Sequence, residues 1–114
     1  MSVVIYHNPR CSKSRQTLEL LQTNSVEPDV VKYLETPPSK AELKQLFAQL
    51  GFDNVRDMMR VKEAEYKEMQ LANADDEALF DAMVSCPKLI ERPIVVANGK
   101  ARIGRPPEQV LDIV

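Results

Sequence analysis

The sequence predicts an α/β fold with a mixed central sheet, and three observations lead to that prediction. The chain opens with the pattern of strand, loop, helix and strand. A β-hairpin pattern stands near its end, and several helical patterns lie between the two. With 114 residues, 44% of them hydrophobic, the chain has enough apolar side chains for one core. We therefore expect residues 1–114 to form one domain.

The opening segment has the features of a βαβ unit. Residues 3–6 are β-branched and aromatic, which is typical of a buried strand, and a His-Asn-Pro loop follows. Residues 11–14 offer N-cap candidates for a helix in which Leu18 and Leu21 share one face. Residues 30–34 predict a second strand. A βαβ unit places the first loop at the carboxyl end of the first strand.

The middle of the chain predicts a helical insertion. Ser39 and Glu42 match a capping box, and Gly51 ends the apolar helical pattern that follows. The segment 53–86 is acidic and predicts two or three further helices, the last of which stops before a proline. We expect residues 39–86, approximately, to be inserted between two halves of the same domain.

The last part of the chain predicts a hairpin and a closing helix. Residues 94–97 and 100–103 have strand patterns, and the Asn98-Gly99 pair between them favours a type I′ turn. Pro106 and Pro107 predict the start of a terminal helix. The apolar residues of that helix are Val110, Leu111 and Val114. A βαβ unit, helical insertion, hairpin and closing helix is the order expected of a thioredoxin-like fold.

Composition excludes several functional classes. No apolar run approaches the roughly 20 residues that a membrane crossing needs, and the start lacks the pattern of a signal peptide. We therefore expect a cytoplasmic protein with no membrane segment. One histidine and two cysteines predict neither a metal site nor a disulfide scaffold. Basic residues are concentrated in 1–24 and 88–105, which suits a small anion better than nucleic acid.

Cys11 is the strongest candidate for a reactive group. It lies in the loop before the first helix, where backbone N–H groups and the positive end of the helix favour an anion. Arg10, Lys13 and Arg15 lie nearby in sequence, and such surroundings lower the pKa of a cysteine thiol. The alternative is a buried structural cysteine, which these charged neighbours disfavour.

Three further residues bear on the chemistry of this thiol. Ser14 completes a Cys-x-x-Ser spacing, and its hydroxyl either holds the thiolate or only caps the helix. Because serine cannot resolve a disulfide, an outside thiol must complete any redox cycle. His7 is either a general base or a residue that packs beside the loop. Cys86 lies in an acidic helix end and is expected to be inert.

Three arginines form a candidate anion site. Guanidinium groups bind tetrahedral oxyanions in bidentate fashion, so arginines that converge on a loop cysteine would make an oxyanion pocket. The alternative is that each is a solvated surface charge, and spacing alone does not decide between the two. The candidates are Arg60, Arg92 and Arg105.

Taken together, these motifs resemble the ArsC family of glutaredoxin-dependent arsenate reductases. The resemblance rests on HNPxCxxSR at residues 7–15, YLExP at 33–37, Met-Arg at 59–60, ERPIVV at 91–96 and GRP at 104–106. It extends over essentially the whole chain and is strongest toward the chromosomal YfgD-like branch of the family.

The resemblance implies a site as well as a thioredoxin-like fold. It makes Cys11 the nucleophile and the bond between Arg92 and Pro93 a cis peptide. It assigns oxyanion binding to three arginines: Arg60, Arg92 and Arg105. It assigns supporting roles around the thiolate to His7, Ser14 and Arg15.

The implied reaction needs no bound metal or flavin. Cys11 attacks arsenate, glutathione acts as co-substrate, and glutaredoxin resolves the resulting mixed disulfide. Arg10 and Lys13 depart from the family's usual loop; their charge favours a thiolate but could also narrow or widen what the pocket accepts. Two alternatives are an Spx-like regulatory protein, which commonly has Cys-x-x-Cys, and a reductase of another oxyanion or of mixed disulfides.

Overall fold

The structure, a computed structural model, describes residues 2–114. In this part of the chain four strands form one mixed sheet in the order β2-β1-β3-β4. β1 pairs in parallel with β2 and antiparallel with β3, which in turn pairs antiparallel with β4. The strands are β1 (Val3–Tyr6), β2 (Asp29–Val31), β3 (Ile94–Ala97) and β4 (Lys100–Ile103). The α-helices are α1 (Ser12–Thr23), α2 (Lys40–Leu50), α3 (Ala64–Glu68) and α4 (Asp76–Ser85).

The βαβ unit is confirmed, but its second strand is shorter than predicted. β2 ends at Val31, and the chain then turns, with the N–H groups of Glu35 and Thr36 bonded to the carbonyl of Lys32. Tyr33 and Leu34, which the sequence placed in the strand, lie in this turn. Tyr33 is only 1% exposed, whereas Leu34 is 47% exposed. Only Tyr33 of the two is therefore buried, and the apolar pair does not continue the strand.

The predicted capping box and the helices of the middle segment are confirmed. Ser39 Oγ accepts from the Glu42 N–H at 3.2 Å, and Glu42 Oε1 accepts from the Ser39 N–H at 3.0 Å. Gly51 follows α2 with φ +75°, which is the left-handed conformation that glycine adopts readily. Residues 53–86 are all described and contain α3, α4 and two 3₁₀ turns, Val55–Met58 and Leu71–Asn73.

Arg56, which the sequence analysis did not single out, ties this segment together. Its Nε donates to the Tyr66 hydroxyl at 3.0 Å, and its Nη2 donates to the carbonyls of Leu71 and Ala74, each at 2.8 Å. The Leu71 carbonyl also accepts from the Ala74 N–H at 3.1 Å within the 3₁₀ turn. The guanidinium therefore gives this carbonyl a second donor and links the turn to Tyr66.

The hairpin is confirmed, while the closing helix differs from the prediction. Asn98 and Gly99 have φ values of +55° and +75°, as a type I′ turn requires. The closing helix is a 3₁₀ helix over Pro107–Asp112. Since a 3₁₀ helix has three residues per turn, its apolar face carries Val110 and continues at Ile113. Val114, predicted as an apolar helix position, is 40% exposed.

Apolar layers cover both faces of the sheet. One layer is formed by the helices of the middle segment and the other by α1 and the 3₁₀ helix at the end. Ile94 and Val95 are both fully buried but belong to different layers, because successive strand residues point to opposite faces. The sheet is therefore buried between two apolar layers.

Gly104 is required by close packing, and we predict that Gly104→Ala destabilises the protein. A Cβ there would lie 2.5 Å from Thr17 Oγ1 and 2.9 Å from Pro93 Cγ. Thr17 is fully buried, so it cannot move aside into solvent. We expect a loss of about 1–3 kcal/mol in the free energy of unfolding, measured by urea denaturation.

The matched control is the double variant Thr17→Ala with Gly104→Ala. It removes both Thr17 atoms that the new methyl group would meet. Because the two sites are in contact, the effects should be non-additive, with the double variant more stable than the sum of the single losses predicts. If the losses in the free energy of unfolding of the two single variants add exactly, close packing against Thr17 is not the reason for Gly104.

Candidate functional site

The register of the sheet brings four separate loops to one edge. Tyr6, the last residue of β1, pairs with Val31 at the end of β2 and with Ile94 at the start of β3. Ile94 in turn pairs with Ile103 at the end of β4. The segments that follow β1, β2 and β4 and the segment that precedes β3 therefore all leave the sheet at the same edge.

These segments carry most of the candidate residues. Cys11 follows β1, Arg92 stands two residues before the first residue of β3, and Arg105 follows β4. Arg60 reaches the same region through a bridge between Met59 and Ile90. The peptide bonds after Arg92 and Arg105 are both cis, the first as the resemblance implied.

Cys11 occupies the N-cap position of α1 and is 9% exposed. Burial is the largest single influence on its pKa and raises it. The backbone N–H groups of Ser14 and Lys13, together with hydrogen bonding and positive charge from Arg92, act in the opposite direction and outweigh burial. The pKa of the Cys11 thiol is therefore lower than its ordinary value, and the site favours a thiolate.

Two arginines face this sulfur. Arg105 Nη2 donates to Cys11 Sγ over 3.7 Å, while its Nε donates to the Arg92 carbonyl at 2.8 Å. The Glu91 carboxylate also lies 3.5 Å from Arg105 Nε. Arg92 approaches Cys11 closely enough to lower the pKa of the thiol, and among residues 2–114 its buried Nε has no hydrogen-bond partner.

Arg60 shares a cavity with Arg105 and is engaged by a carboxylate. Its Nη2 and Nε lie 2.6 and 2.8 Å from Glu63 Oε1, and its backbone N–H donates to the Leu89 carbonyl at 2.7 Å. The cavity measures about 410 Å³, and Glu63 and Glu91 line it beside the two arginines. The structure thus brings Arg92 and Arg105 to the thiol and places Arg60 in the lining of the same cavity as Arg105.

The Ser14 hydroxyl has different partners from the thiolate that the sequence analysis considered. Ser14 Oγ accepts from the Asn8 N–H at 3.0 Å and shares a hydrogen bond of 2.6 Å with His7 Nδ1. Ser14 acts on Cys11 through its backbone N–H instead. Burial, and secondarily the charge of Lys32, lowers the pKa of His7, so the imidazole is mainly neutral at pH 7.

Arg15 contacts the same loop from the solvent-exposed side. Its Nη1 donates to the Pro9 carbonyl at 3.3 Å, and the side chain is exposed. Asn8 Oδ1 accepts from the Arg10 N–H at 3.0 Å. His7, Ser14 and Arg15 therefore all hold the conformation of the loop that presents Cys11.

Comparison with known proteins identifies the family. The model of the ArsC family matches residues 6–113. The chain belongs to the ArsC family. Among its relatives, the Escherichia coli protein YfgD is 65% identical over 114 residues, which cover 98% of this chain and 96% of the relative. A protein of Neisseria meningitidis named arsenate reductase is 53% identical over 110 residues, covering 95% and 94% of the two chains.

Solved structures agree with this assignment. The structure of an arsenate reductase from Vibrio cholerae superposes with a TM-score of 0.97 at 64% sequence identity. The match covers 100% of this ArsC chain and 98% of the other. The predicted thioredoxin-like α/β fold and the resemblance to the YfgD-like branch are both confirmed.

Two carboxylates of this ArsC site were missed by the sequence analysis. Glu63 stands three residues after Arg60, a spacing at which side chains commonly pair, so it could have been found. Glu91 pairs with Arg105, and nothing in the local sequence connects those two positions. Both carboxylates reduce the net positive charge of the cavity.

In residues 2–114, no three His, Cys, Asp or Glu side chains are grouped so as to hold a metal ion. None of the helices within that range has the length and apolarity of a membrane span. Cys86 is half-buried and packs against the apolar layer of the middle segment.

We predict that Cys11 reacts as a thiolate at lower pH than an ordinary cysteine. The alkylation rate follows the thiolate fraction, so it should rise with pH and reach half its maximum below the pH found for an unperturbed thiol. Iodoacetamide alkylation followed by mass spectrometry across pH measures this for Cys11 alone.

A peptide of residues 7–15 is the control for that measurement. It keeps Arg10, Lys13 and Arg15 but lacks the helix N–H groups and Arg92. The peptide should therefore titrate at higher pH than the folded protein. Equal profiles would contradict the account of the pKa given above.

Proposed function

We propose that this ArsC protein is a cytoplasmic arsenate reductase in which the Cys11 thiolate is the nucleophile. The observation that supports the proposal best is the placement of a low-pKa thiol beside two guanidinium groups. Arg105 Nη2 lies 3.7 Å from Cys11 Sγ, and Arg92 contributes to the lowered pKa of the thiol. The same cations that favour a thiolate would bind a tetrahedral oxyanion.

In the first step, arsenate binds to Arg60, Arg92 and Arg105. Cys11 Sγ attacks arsenic, an S–As bond forms, and one arsenate oxygen leaves as hydroxide, which takes up a proton as water. Arsenic remains pentavalent in this adduct. The guanidinium groups offset the negative charge of the anion, which would otherwise repel a thiolate.

In the second step, the glutathione thiolate attacks Cys11 sulfur. The S–S bond forms as the S–As bond breaks, and its electron pair stays on arsenic, which becomes trivalent and leaves as arsenite. The two sulfur atoms together supply the two electrons. A thiol of glutaredoxin then attacks the mixed disulfide, takes the glutathionyl group and returns Cys11 to the reduced state.

Dependence on outside thiols fits the residues around Cys11. Position 14 carries a serine, and its hydroxyl is already bonded to His7 and to the Asn8 backbone. A cysteine at that position would supply an internal resolving thiol, as an Spx-like redox switch needs; a serine does not. Glutathione and glutaredoxin are therefore the proposed reducing partners, with no bound cofactor.

The two carboxylates of the cavity bear on anion binding. The Glu63 carboxylate forms an ion pair with the Arg60 guanidinium, and the Glu91 carboxylate forms one with Arg105. Arsenate binding therefore requires that the arginines share hydrogen bonds with these carboxylates or exchange them for arsenate oxygens.

The test is an assay of arsenate-dependent NADPH consumption with glutathione, glutathione reductase and glutaredoxin. We expect turnover that requires both arsenate and glutathione. No turnover from folded protein, or turnover with a glutathionylated peptide but none with arsenate, would contradict an arsenate reductase. The second result would point to mixed disulfides as the substrate.

A further inference from the structure

Tyr33 has a buried hydroxyl that has no role in the proposed reaction. It follows β2 and so lies at the edge of the sheet where Cys11, Arg92 and Arg105 meet. The side chain is 1% exposed. Its hydroxyl makes no hydrogen bond to any residue that the structure describes. Buried polar groups in proteins are nearly always paired, so an orphaned hydroxyl beside a candidate site calls for a ligand.

The groups around this hydroxyl belong to the site. Burial raises the pKa of Tyr33 most, while Arg92 and Arg60 lower it by their positive charge and Cys11 raises it again by its negative charge. The net direction is upward, so the phenol stays protonated at neutral pH. It is therefore available as an O–H donor near the charges of Arg92, Arg60 and Cys11.

A second donor in the same place is also without an acceptor. Arg92 Nε is buried and unpaired within residues 2–114, and the Arg92 guanidinium lies near enough to Tyr33 to lower the pKa of the phenol. Even if the phenol oxygen accepts from Arg92, the phenol proton still lacks an acceptor, because a guanidinium only donates. Both would be satisfied by one ligand with several acceptor oxygens.

We propose that the Tyr33 hydroxyl is a binding residue of this site and donates a hydrogen bond to an oxygen of the oxyanion that Arg92 holds. The proposal rests on the proposed function and names one further contact in it. Because the hydroxyl is buried in the free protein, side chains around it have to shift as the anion enters. The Tyr33 ring is fixed by its burial, whereas Arg92 is partly exposed.

The variant Tyr33→Phe tests the proposal, since it removes one oxygen and leaves the ring. We expect the affinity for arsenate to fall about tenfold or more, as the loss of a hydrogen bond to a charged group does. Arsenate protection of Cys11 against iodoacetamide reports that affinity. The urea midpoint of the free protein should stay the same or rise, because the lost hydroxyl had no partner there.

The matched control is Tyr66→Phe. The Tyr66 hydroxyl accepts a hydrogen bond of 3.0 Å from Arg56 in the middle segment. Its loss should lower the urea midpoint and leave arsenate affinity unchanged. We thus expect Tyr33→Phe to lower the affinity for arsenate without loss of stability, and Tyr66→Phe to lower stability without loss of affinity.

Two results would overturn the proposal. Unchanged arsenate affinity of Tyr33→Phe would show that the hydroxyl does not touch the anion. A shift in the pH profile of Cys11 alkylation in the free variant would show that Tyr33 acts through Arg92, and is a positioning residue. An unchanged profile with a weakened affinity is the expected pair of observations.

Phosphate and sulfate, tested beside arsenate, separate this proposal from the proposed function. If the wild type binds arsenate and Tyr33→Phe binds it equally, only the role of Tyr33 is wrong. If the wild type binds phosphate or sulfate but not arsenate, and Tyr33→Phe weakens that binding, only arsenate is wrong. If none of the three anions protects wild-type Cys11, there is no oxyanion site and both proposals fail.

Discussion

Replacing Cys11 by serine is expected to abolish arsenate-dependent turnover, with a loss of more than about a thousandfold. A serine hydroxyl stays protonated under conditions in which the Cys11 thiol ionises. The helix N–H groups and Arg92 favour a negative charge at this position, but they cannot make the hydroxyl a comparable nucleophile. The readout is NADPH consumption in the assay with glutathione, glutathione reductase and glutaredoxin.

The fold should tolerate this change. Cys11 is the N-cap residue of α1, a position at which serine is among the preferred residues. Cys86→Ser is the matched control, since it removes the other thiol from a place far along the chain, and it should keep full activity. Turnover above a tenth of wild type in Cys11→Ser, or its loss in Cys86→Ser, would mean that Cys11 is not the sole nucleophile.

Arg92→Ala is expected to damage the site in two ways. The first is a fall in arsenate affinity of about 10- to 100-fold, because charge-assisted hydrogen bonds are lost. The second is a higher pKa of the Cys11 thiol. Arg92 lowers that pKa by hydrogen bonding and charge, whereas burial raises it. Without Arg92, the effect of burial is offset less and the pKa rises. At a fixed pH the variant should have less thiolate and react more slowly with iodoacetamide.

Two other variants make this prediction specific. Arg102→Ala removes the same charge from β4, where Nη1 donates only to the carbonyl of the preceding residue; it should change neither affinity nor pKa. Arg92→Lys keeps the charge but loses the bidentate fork, so its affinity should lie between wild type and Arg92→Ala. Unchanged arsenate affinity in Arg92→Ala would show that Arg92 is only a structural charge.

The parts of the fold that local chemistry decides were predictable from the sequence. The Asn98-Gly99 pair determines its hairpin because both residues adopt positive φ, and the capping box at Ser39 needs only four consecutive residues. The end of β2 was not predictable in this way. Tyr33 continues the apolar pattern of the strand, but its burial comes from packing against the helices of the middle segment. The apolar pattern alone cannot distinguish a residue that continues a strand from one that is buried by packing after the strand has ended.

In the candidate site, too, features set by neighbouring residues were predictable, and features that depend on distant residues were not. The place of Cys11 at the start of α1 was predictable because the loop and the helix are adjacent in sequence. Its burial was not expected from its charged neighbours, and the pKa is lowered by the helix N–H groups and Arg92, not by the side chains of those neighbours. The approach of Arg105 was not, since Arg105 and Cys11 are 94 residues apart and meet only through the register of β1, β3 and β4. The partners of the Ser14 hydroxyl depend on how the His7 loop folds back, which spacing does not reveal.

The central claim is that arsenate drives the formation of a disulfide between Cys11 and glutathione. It is tested most directly by mass spectrometry after one turnover of the protein with arsenate and glutathione, with glutaredoxin omitted. We predict one glutathione per protein, attached to Cys11, together with an equal amount of arsenite. Attachment at Cys86, attachment at the same level without arsenate, or no attachment to folded protein would contradict the account.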